Sequence, residues 1–154
     1  MTSSQQLPKS ERINGKKLID RLFKGGGAKS MSAFPLRVVF MTEDGDAHEP
    51  LAQMMVSVPK RFFKRAVKRN LVKRLVREAY RRNKQVLIDT LQTVEQRKTL
   101  SLCFIWTDHN LRSYEEVERK TANLLQRIAE KIGKDTAENT AEPFIAGDTE
   151  NADQ

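Results

Sequence analysis

The spacing of hydrophobic positions changes along the chain, and each change marks an element. Pro8 opens a helical stretch with Ser10 as its N-cap, and Leu18, Ile19, Leu22 and Phe23 give an apolar stripe at i, i+1, i+4, i+5. Gly25-Gly26-Gly27 ends it, because glycine supplies the turns that a helix stop needs. From Phe34 to Met41 the period falls to two: Leu36, Val38 and Phe40 point one way, Pro35, Arg37, Val39 and Met41 the other. A turn cluster, Thr42 to Asp46, separates this strand from a second at Leu51 to Val58. The pair is predicted to form an antiparallel hairpin with a longish loop, and residues 29–32 are a candidate edge strand. Helical spacing returns over Lys60 to Lys84 and again over Val86–Val94. Thr99 to Thr107 is apolar almost without break, so it is predicted to lie in the middle of the sheet. Ser113, with Glu116 three residues on, caps a last helix whose apolar face is Val117, Leu124, Leu125, Ile128, Ala129 and Ile132, and Gly133 is its predicted stop. The order predicts a single α+β domain packed in layers about a mixed sheet.

Charge divides the chain further. The net charge of the 154 residues is +8, but residues 134–154 hold one cation, Lys134, and six acids. Residues 1–133 therefore carry 27 positive against 14 negative charges, a net of +13. Such an imbalance repels itself, and a polyanionic partner is the usual reason to tolerate it. The composition divides the chain into a flexible N-terminus (1–8), a folded domain (9–133) and a disordered acidic tail (134–154). Cys103 is the only cysteine, which excludes a disulfide framework and suggests a cytoplasmic address. No signal peptide is visible, and the longest apolar run, Leu102–Trp106, is far too short to cross a membrane. His48 and His109 have no partners at metal-ligand spacing, so no metal site is expected. Gly25 to Ser30 only superficially resembles a phosphate loop: Ala28 stands where the last glycine should, and a helix precedes it.

The densest chemistry is in residues 60–84, with twelve Lys and Arg and one acid, Glu78. A surface helix would normally interleave Glu at i±4 to relieve such repulsion. On a helical wheel, Val67, Leu71, Val72, Leu75, Val76 and Ala79 fill one arc. Arg69, Asn70, Lys73, Arg74, Arg77 and Arg81 fill the opposite arc, while Lys68 and Arg82 must snorkel from the apolar side. One face is thus predicted to seal on the sheet and the other to present cations to phosphates. No helix-turn-helix spacing, zinc finger or zipper accompanies it, which favours a structured RNA over DNA. A ribosomal or ribosome-assembly protein and a DNA-binding architectural protein are the rival readings.

Lys64-Arg65-Ala66-Val67-Lys68-Arg69-Asn70-Leu71-Val72-Lys73-Arg74-Leu75-Val76-Arg77-Glu78-Ala79-Tyr80 closely resembles the signature of the bacterial ribonuclease P protein subunit. Leu7-Pro8-Lys9-Ser10-Glu11-Arg12-Ile13, Phe23, and Val56-Ser57-Val58-Pro59-Lys60-Arg61 resemble other parts of that pattern, so the likeness spans about residues 7–132. Leu71 stands where the family typically has an arginine and Ile19 where members often have Phe; the acidic tail has no counterpart. The resemblance implies an α-β-β-β-α-β-α fold like the second domain of ribosomal protein S5, with a left-handed crossover. It implies a monomeric protein, one per catalytic RNA, assisting removal of the 5′ leader from precursor tRNA. The RNA would carry the active site and its magnesium ions, and the protein no catalytic group. Lys64, Arg65, Lys68, Arg69, Asn70, Lys73, Arg74, Arg77 and Arg81 would bind RNA. Phe23, Phe34, Arg37, Lys60, Arg61 and Arg12 would form a leader-binding cleft between the first helix and the sheet. Base stacking on Phe contributes about 1–3 kcal/mol per base, and ordinary core packing is the alternative for Phe23 and Phe34.

Overall fold

The computed structural model describes residues 7–13, 16–24, 27–45, 50–94 and 97–153, with side chains through Asp135 except at 16–18 and 24. Residues 1–6 of the expected flexible N-terminus, Gly25-Gly26 of the expected helix stop, and His48 lie outside the described residues.

A short 3-10 turn (Lys9–Glu11) leads to α1 (Lys16–Lys24), β1 (Lys29–Ala33), β2 (Leu36–Asp44) and β3 (Ala52–Ser57). After these come α2 (Ala66–Asn83), α3 (Gln85–Gln92), β4 (Lys98–Trp106) and α4 (Tyr114–Asp153). Ser10 is not the N-cap of a continuous first helix. Arg12 extends instead to bridge Met54 in parallel, and the Ile13 N–H donates to the Met54 carbonyl at 2.9 Å. Those backbone groups serve the sheet edge, which delays α1 to Lys16.

The sheet order is β1-β2-β4-β3. β4 is central, as its apolar run predicts: it pairs antiparallel with β2 from Leu36↔Trp106 to Asp44↔Lys98, and parallel with β3 from Ala52↔Leu100 to Ser57↔Ile105. The predicted hairpin of β2 with β3 is therefore wrong. The hairpin is β1 with β2, turning at Phe34-Pro35 over a cis peptide bond, and residues 29–32 are indeed an edge strand. β4 is almost wholly buried, so seating it between two neighbours covers its backbone and side chains together.

Alternation along β2 feeds two hydrophobic clusters. Leu36, Val38 and Phe40 join Met54, Phe104, Trp106, Tyr80 and Leu124 beneath α2, α3 and α4. Val39 and Met41 join Ile13, Leu22 and Cys103 beneath α1. Ser113 Oγ accepts from the Glu116 N–H at 3.2 Å, which is the predicted cap of α4. Gly133 does not stop that helix, whose backbone runs on to Asp153; one interior glycine costs only about 1 kcal/mol.

Candidate nucleic-acid interface

Helix α2 has two unlike halves. Buried positions begin only at Val72 and continue with Val76, Ala79 and Tyr80, which seal against the sheet and α4. Val67 and Leu71, assigned by the wheel to the sealed face, are 78% and 36% exposed. The first turns overhang the core, so a periodic pattern there has nothing to pack against. Arg65 is the N-cap without a side-chain cap bond, and no acid stands in the first turn. The exposed Lys64, Arg65, Lys68 and Asn70 thus surround the positive end of a helix dipole, an arrangement that favours a polyanion.

The remaining cations of this helix differ in their freedom. Arg69 is half-buried, and its Nη1 donates to the Phe63 and Lys64 carbonyls at 2.8 and 2.7 Å, tying down the turn before the helix. Arg81 is engaged by Glu78, which accepts from Nε at 3.0 Å and Nη2 at 2.6 Å. Lys73 is half-buried and Arg74 exposed. Arg77 is half-buried, and burial, then the charges of Arg12 and Arg74, hold its guanidinium below the ordinary arginine value.

The six cleft residues named from the resemblance are spread over four places. Phe23 and Arg37 share a cavity of about 310 Å³ beside α1, walled by Leu22, Ala28, Val39 and Ile105, with Lys29 and Ser30 at β1. Phe34 sits at the β1–β2 turn, where the Arg112 guanidinium lies 5.0 Å over its ring. Arg112 is held there by Asp108 and Glu116. Phe23 and Phe34 are 50% and 56% exposed, which settles the core-packing alternative against both. Lys60 and Arg61 are exposed in the loop between β3 and α2; Arg61 lies 4.8 Å over Phe62, which meets His109 edge-on at 4.9 Å. Arg12 faces a different cavity, with Arg74 and Arg77. Sequence reasoning missed Lys29, Phe62, His109 and Arg112. Only Phe62, adjacent to Arg61, carried a local signal.

This is an α+β domain with an exposed cationic helix end and an open cleft on the opposite face of its sheet. Residues 7–129 match the family model for Ribonuclease P, and the chain belongs to that family, as a bacterial protein component. It is 41% identical over 134 residues to the "Ribonuclease P protein component" of Porphyromonas gingivalis, covering 86% of this chain and 93% of that one. The RNase P protein from Thermotoga maritima superposes with a TM-score of 0.58 at 25% identity, covering 76% of this chain and 96% of that one. A Staphylococcus aureus RNase P protein shares the fold at a TM-score of 0.52 and 17% identity, covering 78% and 96%. Among the described residues no helix is long and apolar enough to cross a membrane.

Proposed function

We propose that this chain binds the catalytic RNA of ribonuclease P through the first turns of α2 and holds the 5′ leader of precursor tRNA in the cleft beside α1. In this role it assists endonucleolytic removal of the leader as a cytoplasmic monomer, one per RNA. The observation that carries the reading is the overhanging end of α2, where Lys64, Arg65 and Lys68 are exposed and the first turn holds no acid. Cations there offset the repulsion between two RNAs, which lowers the magnesium that the pair requires. Magnesium belongs with the RNA in this reading, and among the described residues no three His, Cys, Asp or Glu side chains converge. Phe23 and Phe34 expose rings on which unpaired bases can stack. Residues 9–133 are the working domain, with the likeness to the second domain of ribosomal protein S5 part of the same reading; the acidic segment 134–154 has no part in it.

The test is 5′ processing of a precursor tRNA by a bacterial ribonuclease P RNA at low magnesium. Cleavage should require both RNA and protein, and a Lys64/Lys68 charge-removal variant should lose the stimulation. If about six phosphates are neutralised, binding should fall with salt at a log–log slope of about −4 to −5. Binding to RNA without any stimulation of cleavage would move a ribosomal role to the front.

A further inference from the structure

Helix α4 follows the edge strand β1 along its length. Arg127 Nη1 donates to the Ser32 carbonyl at 2.9 Å, and about two turns later Asp135 Oδ2 accepts from Lys29 Nζ at 3.0 Å. Asp135 Oδ1 also lies 3.8 Å from Lys131 Nζ, so one carboxylate joins a strand cation to a helix cation. Lys29 is the first residue of β1 and belongs to the wall of the cleft that holds Phe23 and Arg37. Alternation along β1 puts Lys29 on the same side as Met31 and Ala33, which pack against the large core. Its ammonium is therefore drawn over the sheet edge towards α4, away from the cleft that it borders.

Past Asp135 the helix backbone runs on to Asp153, and residues 136–154 hold Glu138, Glu142, Asp148, Glu150 and Asp153 without a Lys or Arg. At a rise of about 1.5 Å per residue, Glu138 and Glu142 follow within about 10 Å of Asp135 along the axis, roughly one Debye length at about 0.1 M salt. This segment binds nothing in the ribonuclease P reading, but its position gives it an opposing task. We propose, on the strength of the leader-cleft reading, that the acidic end of α4 is an autoinhibitory latch on that cleft. Asp135 holds Lys29 out of it, and the carboxylates beyond repel a phosphodiester strand. The Lys29–Asp135 pair is exposed and hence weak, so a polyanion displaces Asp135 and frees Lys29 for a phosphate. The competitor is tethered, however, and its effective concentration does not fall on dilution. A free single strand must overcome it unaided. A leader whose tRNA body is already held by the catalytic RNA arrives at a high effective concentration of its own. The latch thus selects anchored leaders over stray single strands.

Affinity is read in the full chain by fluorescence anisotropy of a labelled oligouridylate, at low salt and without catalytic RNA. Asp135→Asn should tighten binding about threefold, and joint replacement of Glu138, Glu142, Asp148, Glu150 and Asp153 by their amides about tenfold. Both gains should vanish at high salt. In a Lys29→Gln background Asp135→Asn should gain little, because the cation that it releases is gone. Asp89→Asn, which removes an exposed acid of α3 on the opposite face of the sheet, should bind as the parent does. Unchanged affinity in both acid variants overturns the latch and leaves the cleft reading standing, and so does a full gain from Asp135→Asn in the Lys29→Gln background. Parental affinity in Phe23→Ala overturns the cleft reading, and the latch with it.

Discussion

The two faces of the sheet are built for different ends. Under α2, α3 and α4 lies a continuous core that reaches from Leu7 to Ile132 and includes Trp106, Tyr80 and Phe104 at no exposure. Under α1 the cluster is only Ile13, Leu22, Val39, Met41 and Cys103, and beside it the cleft stays open with Phe23 half exposed. The large face holds the domain together. The small face buries just enough to seat one helix, which leaves apolar wall and cation free for a ligand.

That contrast can be broken at several points, beginning with the largest effect. Trp106→Ala, in the large core, should cost about 3–5 kcal/mol of stability, read from urea unfolding. Leu22→Ala, beneath α1, should cost about 2 kcal/mol, near the low end of the usual range, because the small cluster adjoins an open cavity and can relax. Equal costs at the two sites would abolish the distinction. Arg69→Ala should cost about 1–2 kcal/mol in stability as well as weaken RNA binding, since two carbonyls lose their donor; Lys68→Ala should weaken RNA binding by about 1 kcal/mol and leave unfolding unchanged. Phe23→Ala should move stability by less than about 0.5 kcal/mol yet weaken single-stranded leader binding by about 1–3 kcal/mol. The smallest change is in Cys103, whose thiol burial pushes up to about 12. A thiol reagent at pH 8 should leave it untouched until the protein unfolds, and immediate labelling would mean that the small cluster is open.

Much of this was legible in the chain because one-dimensional patterns report burial well. The period-two run at Leu36 to Met41, the unbroken apolar run of β4 and the capping Ser113 all lie where the sequence predicts them. Pairing partners were not legible: β2 and β3 follow one another, and successive strands are usually neighbours, yet β4 enters between them from later in the chain. The wheel misplaced Val67 and Leu71 because periodicity says which side of a helix is apolar but not how far the core extends along it. Arg69 and Arg81 read as free cations, since no sequence pattern shows which carbonyls or carboxylates fold back to meet them. The leader set from the resemblance holds exposed rings and cations, but topology distributes those residues between the cleft beside α1, the β1–β2 turn, the loop before α2 and the Arg12 cavity.

The strand order also bears on how the chain matures on the ribosome. β2 finds its central neighbour only when Lys98–Trp106 has been synthesised, and β3 waits for the same segment. Until then the emerging polypeptide presents a hairpin and a lone strand with open edges, which invite association with other chains. Translation that halts before β4 should therefore yield an aggregation-prone fragment rather than a smaller folded unit, and release of the last strand is the moment at which the sheet closes.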